Sequence, residues 1–173
     1  MASKVALVYG SITGSSRSVD VISKGFPDIN GLELVTPIEG NAFDVNVLAD
    51  CKLLVVCASR GYALPQLLLL AEDKPGCLSH LQHAVYEQGD AFGSQHGLLD
   101  MPRYIDELLE KCGSRRFFPR GETGKPFAPL DCVKLTVQEW TSAMWAAAAK
   151  ADPGAPSVPL DITWEGAELK SKL

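Results

Sequence analysis

The chain has 173 residues, 46% of them hydrophobic, and a formal net charge of −5 at pH 7. That length and apolar content suit one domain around one core, and the acidic balance argues against nucleic acid as a partner, since such binding needs a basic footprint. No apolar run approaches a membrane span, and the stretch before Gly10 is too short for the apolar core of a secretory signal, so no membrane association is expected.

Val5-Ala6-Leu7-Val8-Tyr9-Gly10 reads as a buried parallel strand. It breaks into Ser11-Ile12-Thr13-Gly14-Ser15-Ser16, and an amphipathic run with helical spacing follows from Val19 to Phe26. A strand, a loop of small hydroxyl residues around a glycine, and then a helix N-terminus make an anion cradle. Backbone N–H groups converge there, the helix dipole favours negative charge, and the hydroxyls of Ser11, Thr13, Ser15 and Ser16 can donate to phosphate oxygens. The same residues also make an ordinary helix cap, and on their own they leave both readings open. The loop holds no lysine and lacks the three-glycine fingerprint, which argues against a P-loop or a dinucleotide site.

Leu32 to Val35 is predicted as a second strand, followed by a polar stretch from Gly40 to Asp50. Leu53 to Cys57 is the clearest buried strand, with Cys57 serving as a small hydrophobe. Leu64-Pro65 opens a helix to about Asp73, with proline in the first turn where its missing N–H costs little. Ala84-Val85-Tyr86 marks a fourth strand that ends at Gly89-Asp90. A helix from about Leu98 to Cys112 is closed by Gly113. Arg116-Phe117-Phe118 makes a fifth strand, halted by Pro119, and Cys132 to Lys150 a long final helix in which Trp140, Met144 and Trp145 form the packing stripe. Residues 1–151 thus form the domain. The Pro-rich stretch from Asp152 to Pro159 reads as a stiff, structureless linker within a 152–173 tail.

Strands alternating with helices at this spacing predict an α/β fold with a doubly wound parallel sheet. In such a sheet ligands sit outside the carboxyl ends of the strands, where strand order reverses. Three loops fall there: Gly10–Ser16, Ala58–Pro65 and Glu87–Gly97. Each has glycine with small, polar or aromatic neighbours, which suits close approach to a planar ligand carrying a phosphate. Elsewhere the chemistry is sparse. Five cysteines, Cys51, Cys57, Cys77, Cys112 and Cys132, show no C-x-x-C spacing and fit free thiols. His80 and His83 are expected at the surface. Arg115, Arg116, Arg120 and Lys125 form a basic patch, read as a solvated sheet edge or as a dock for an acidic redox partner. No nucleophile–base–acid triad, catalytic carboxylate pair or metal cluster is evident.

On these residues the chain resembles the flavodoxin family, and most of all the FMN-binding domains of diflavin reductases. Ser11 to Ser16 matches the family's phosphate loop, S/T-x-T-G-x-S/T. Gly89-Asp90 is similar to its G-D loop. Arg115 to Glu122 resembles the stretch closing the fifth strand, and Gln138 to Trp145 the last helix of diflavin reductases. The resemblance covers about residues 4 to 150. It implies a five-stranded sheet in the order 2-1-3-4-5 with helices on both faces, and FMN as the cofactor. The phosphate would be held by Ser11, Ile12, Thr13, Gly14, Ser15 and Ser16. The flavin ring would lie between Ser59, Arg60, Gly61 and Tyr62 on one side and Gly89, Asp90, Phe92 and Gly93 on the other, with Tyr62 and Phe92 as stacking partners.

Two departures bear on chemistry. Arg60 stands where the family has an aromatic, and the Ser59–Pro65 loop keeps no carboxylate; Phe92 comes one residue early. A cation replacing acids beside the ring favours the fully reduced, negatively charged flavin, by on the order of a few kcal/mol in a partly dry site. The implied function is electron transfer between a reductase and an acceptor protein, an electron carrier more than a stand-alone oxidoreductase. An NAD(P)H-dependent flavin or quinone reductase and a flavin-free binding module on the same fold remain alternatives. Finally, Ser171-Lys172-Leu173 reads as the tripeptide address recognised by the peroxisomal import receptor, which predicts a peroxisome or glycosome location over a cytoplasmic one.

Overall fold

The computed structural model describes residues 2–10, 17–29, 31–59, 65–88, 101–122, 133–134, 136–152 and 154–158. In chain order the strands are β1 (Ser3–Gly10), β2 (Leu32–Leu34), β3 (Ile38–Glu39), β4 (Cys51–Ser59), β5 (Gln82–Gln88), β6 (Arg115–Arg116), β7 (Gly121–Glu122) and β8 (Val133–Lys134). The helices are α1 (Arg17–Lys24), α2 (Pro65–Asp73), α3 (Met101–Lys111) and α4 (Val137–Ala149), with 3-10 turns at Gly40–Ala42 and Val45–Asp50.

Among the described residues the strands form one sheet, order β2-β1-β4-β5-β7-β8, and each of its pairings is parallel. This is the expected 2-1-3-4-5 order once two interrupted strands are recognised, with β8 added as a sixth strand outside β7. β2 and β3 both pair with β1, and β6 and β7 both pair with β5. Pro37 sits in the first break and Pro119 in the second; proline has no N–H for the ladder. The ladder lapses only briefly, since Val35 N–H still donates to the Val5 carbonyl at 2.9 Å and Phe117 N–H to the His83 carbonyl at 3.0 Å.

The central strands are buried on both faces, which is why they read as continuous apolar runs. Val5 and Leu7, Leu53, Val55 and Cys57, and Ala84 and Tyr86 face α1 and α4, where Trp140, Met144 and Trp145 lie buried as expected. Ala6 and Val8, Leu54 and Val56, and Val85 face α2 and α3. The two tryptophans also satisfy their polar ends: Trp145 Nε1 donates to the Ile22 carbonyl at 2.9 Å and Trp140 Nε1 to the Pro119 carbonyl at 3.0 Å. Gly121 is required here. A Cβ at that position would sit 2.4 Å from Trp140 Cδ1 and 2.6 Å from Tyr86 Cδ2.

Two boundaries differ from expectation. The last helix starts at Val137 rather than Cys132, because Thr136 and Glu139 form a reciprocal capping box; Val133–Lys134 instead pairs with β7 as an outer strand. The stretch after α4 is not a free linker along its whole length. Val158 N–H donates to the Arg116 carbonyl at 2.9 Å, Arg116 N–H to Ser157 Oγ at 3.1 Å, and Ser157 Oγ to Glu110 Oε1 at 2.7 Å.

Candidate functional site at the carboxyl ends of the strands

Parallel pairing brings the ends of three long strands to one edge. Gly10, which closes β1, is in register with Ala58 of β4; Ser59, which closes β4, is in register with Gln88, which closes β5. From β1 the chain passes through α1 to β2 on one side, and from β4 through α2 to β5 on the other. Strand order therefore reverses between β1 and β4, the position at which open parallel sheets form a ligand-binding crevice. Residues 11–16, 60–64 and 89–100 leave from this edge. The sequence-predicted residues Ser11, Ile12, Thr13, Gly14, Ser15, Ser16, Arg60, Gly61, Tyr62, Gly89, Asp90, Phe92 and Gly93 lie outside the described residues, as do Ser171, Lys172 and Leu173. Ser59 is described, half-buried at the end of β4.

Residues 11–16 join Gly10, the last residue of β1, to Arg17, the first residue of α1. Ser18, in the first turn of α1, is buried, and its side chain hydrogen-bonds the Cys57 thiol near the end of β4. The helix N-terminus is thereby tied to the crevice side of β4. Burial pushes the Cys57 thiol up to about 12 against the smaller opposing effect of that hydrogen bond, so Cys57 is an inert neutral group, as its strand position suggested.

Sequence reasoning missed one residue at this edge. Glu87 is fully buried one position before the end of β5, in register with Ala58. The signal was present: a carboxylate directly after Ala84-Val85-Tyr86 continues the strand and turns toward the α2 and α3 face, as Val85 does.

A second polar cluster lies at the other end of the sheet and corrects two expectations. His83 is not a surface residue, and Arg116 and Arg120 are not a solvated patch; they are 0%, 2% and 0% exposed. All three converge on Asp106 of α3, itself fully buried. His83 Nε2 donates to Asp106 Oδ1 at 2.9 Å, Arg116 Nε to Oδ1 at 2.9 Å, and Arg120 Nη1 to Oδ2 at 2.9 Å. Burial alone would raise the Asp106 carboxyl, but the hydrogen bond and charge of His83, and then of Arg116, outweigh it and hold the group at about 2. His80, by contrast, is exposed as expected, with its ring nitrogen 3.0 Å from the Leu48 carbonyl.

Ser114 completes the cluster, its Oγ 2.8 Å from His83 Nδ1. Hydroxyl, imidazole and carboxylate thus stand in line, the order used by nucleophilic hydrolases. The arrangement is nevertheless a brace. Ser114 is 2% exposed and donates to the Leu81 carbonyl at 3.1 Å, and the carboxylate is occupied by two guanidinium groups. No substrate reaches a hydroxyl enclosed in this way. Among the described residues no group of His, Cys, Asp and Glu could hold a metal ion.

No family model matches the chain. A bifunctional cytochrome P450/NADPH–P450 reductase of Bacillus subtilis (strain 168) is 40% identical over 86 residues, which is 47% of this chain and 7% of that protein. The chain therefore spans a small fraction of that curated relative. Among solved structures, a short-chain flavodoxin associated with a non-canonical PDU bacterial microcompartment superposes with a TM-score of 0.63 at 18% identity, covering 86% of this chain and 97% of the other. Oxidised flavodoxin 1 from Bacillus cereus gives 0.62 at 14% identity, covering 86% and 98%. A flavodoxin from the domain Archaea gives 0.53 at 18% identity, covering 86% and 99%. At these identities the likeness establishes the architecture.

Proposed function

We propose that this flavodoxin-like chain holds FMN non-covalently at the carboxyl ends of β1, β4 and β5 and carries electrons between a reductase and an acceptor protein. One observation carries the reading. A Ser-Ile-Thr-Gly-Ser-Ser segment connects the end of β1 to the first turn of α1, next to the point where strand order reverses. The donor set suits a phosphate monoester: four hydroxyls, the loop amides and a helix N-terminus, with no carboxylate among them. The similarity to a P450 reductase and to flavodoxins supports the same cofactor.

In this reading Ser11, Thr13, Ser15 and Ser16 donate hydrogen bonds to the phosphate, and Gly14 lets the backbone approach it. Tyr62 and Phe92 flank the ring and keep water from its faces. When bound, FMN supplies the one- and two-electron chemistry that the side chains cannot. Arg60 and Glu87 act on its charge in opposite senses. The guanidinium favours the negatively charged reduced form, while the buried carboxylate at the end of β5 disfavours added negative charge nearby.

The binding half is tested by adding FMN to the purified protein and following quenching of flavin fluorescence. Replacing Ser11, Thr13, Ser15 and Ser16 together by alanine is expected to weaken binding at least about a hundredfold, since each charge-assisted hydrogen bond contributes on the order of 1–3 kcal/mol. Unchanged affinity in that variant rules out the loop as the phosphate site. For the electrostatic half, a redox titration of Arg60→Glu should show the second one-electron potential moving to more negative values than in the wild type. Coincident titrations would remove Arg60 from the account.

A further inference from the structure

Two of the described cysteines are brought together by glycines. Gly76-Cys77 lies in the turn before β5, and Cys112-Gly113 follows the last residue of α3. The two segments cross closely: Leu78 N–H donates to the Cys112 carbonyl at 2.7 Å, and a Cβ built on Gly113 would stand 3.0 Å from Gly76 Cα. Both glycines adopt the left-handed conformation, with φ of 81° and 90°. A side chain at either position would be strained, and one at 113 would push the backbones apart. The hydrogen bond from the residue after Cys77 to the carbonyl of Cys112 itself holds the two Cα atoms within roughly 7 Å, near the outer limit of the range a disulfide spans. The thiols are in side-chain contact.

We propose that Cys77 and Cys112 form an oxidisable dithiol, a modification site that closes to an intramolecular disulfide on reaction with a hydroperoxide. The pair divides the work by exposure. Cys77 is half-buried and reaches solvent, whereas Cys112 is enclosed. The Cys77 sulfur attacks the peroxide oxygen; the S–O bond forms, the O–O bond breaks, and the leaving alkoxide or hydroxide takes up the thiol proton. The Cys112 sulfur then displaces hydroxide from the Cys77 sulfenic acid, forming the S–S bond and breaking the S–O bond, and its proton leaves with hydroxide as water. In sum two thiols give up two electrons and two protons, and the hydroperoxide becomes alcohol (or water) and water. Burial pushes the Cys112 thiol up to about 11, with Cys77 adding to the effect. An enclosed thiol raised in this way is not the one that attacks first; its place is the resolving step, beside a sulfur already oxidised.

The other described thiols are placed differently. Cys57 is enclosed between the sheet and α1, and the buried Cys51 donates to the Val47 carbonyl at 3.3 Å. The ring closed by the new bond would contain β5, α3 and the whole 89–100 connection between them. Oxidation would therefore staple the base of the element that carries one wall of the candidate site. This inference stands apart from FMN binding, because its readout needs no cofactor.

The test treats the reduced full-length protein with an equivalent of hydrogen peroxide, blocks remaining thiols with an alkylating agent, and maps the peptides. The expected result is the loss of two of the five alkylatable thiols, a Cys77–Cys112 linked peptide that dithiothreitol releases, and little sulfenic acid trapped by dimedone. In Cys112→Ala, which keeps a small apolar group in the core, dimedone should instead label Cys77 stoichiometrically. Wild-type protein that keeps all five thiols, links other cysteines, or accumulates dimedone-labelled or sulfinic Cys77 without the cross-link would overturn the proposal.

Discussion

Asp106 shows how far a single residue can depend on partners distant in sequence. Its carboxylate collects His83 from β5 and Arg116 and Arg120 from the interrupted fifth strand, all buried. The folded carboxyl at about 2 lies below an unfolded value near 3.9. A depressed carboxylate contributes stability above the unfolded value and loses it as pH falls through the folded one. The contribution, about 2–3 kcal/mol, is thus present at neutral pH and disappears between about pH 4 and pH 2. Asp106→Asn is expected to lower stability at pH 7 by about 3–5 kcal/mol, because two guanidinium groups lose their counter-charge in the interior. Urea unfolding at pH 7 and at pH 3 checks both: the variant should be weaker at pH 7, and the gap to wild type should narrow at pH 3. An equal gap at both values would mean the carboxylate's charge is not what the site uses. None of this pairing was legible in the sequence. His83 stands in a short polar lead-in to an apolar run, and nothing in its spacing to Asp106 distinguishes a buried partner from a solvated one. What could be read was the inertness of Cys57 and the packing role of Trp140 and Trp145, because the apolar residues beside them in sequence mark a buried strand and a core-facing helix.

At the scale of elements, long apolar patterns place the strands and helices, while one or two residues decide where they begin and break. β1 and β4 announce themselves as apolar runs, since both of their faces are covered. Of the short strands, β2 and β6 fall on the expected second and fifth strands, whereas β7 and β8, two residues each, are made strands only by pairing with β5 and with each other. The start of α4 was legible in principle. Thr136-Val137-Gln138-Glu139 spells a capping box, yet the apolar residues ahead of it suggested a longer helix. Thr136 Oγ1 accepts from Glu139 N–H, and Glu139 Oε2 accepts from Thr136 N–H, each at 3.2 Å. Thr136→Ala removes the first of these bonds and should cost about 1 kcal/mol in chemical denaturation. An effect below a few tenths would show that the packing of Trp140 and Trp145, not the cap, fixes the start of this helix.

For the molecule as a whole, the parallel order follows from strands that alternate with helices and the two-sided core from continuous apolar runs in the central strands, and the position of the candidate site follows from that order. The connections that follow β1 and β4 run to opposite sides of the sheet, and the segments with hydroxyl, aromatic and Gly-Asp character follow the carboxyl ends of β1, β4 and β5 in the chain. The polar brace and the Cys77–Cys112 crossing have a different location, on the α3 side of β5. Chemistry at one end of the sheet and reinforcement at the other is the division the fold supports. It explains why buried charge in this protein need not signal a reaction.

Calorimetric titration of the purified full-length chain with FMN and, in parallel, with riboflavin tests the central claim most directly, since the two ligands share the ring and differ by the phosphate. A loop that grips a doubly charged monoester predicts one FMN site per chain and riboflavin binding weaker by at least about a hundredfold. Equal affinity for the two ligands, or no heat with FMN, would contradict it.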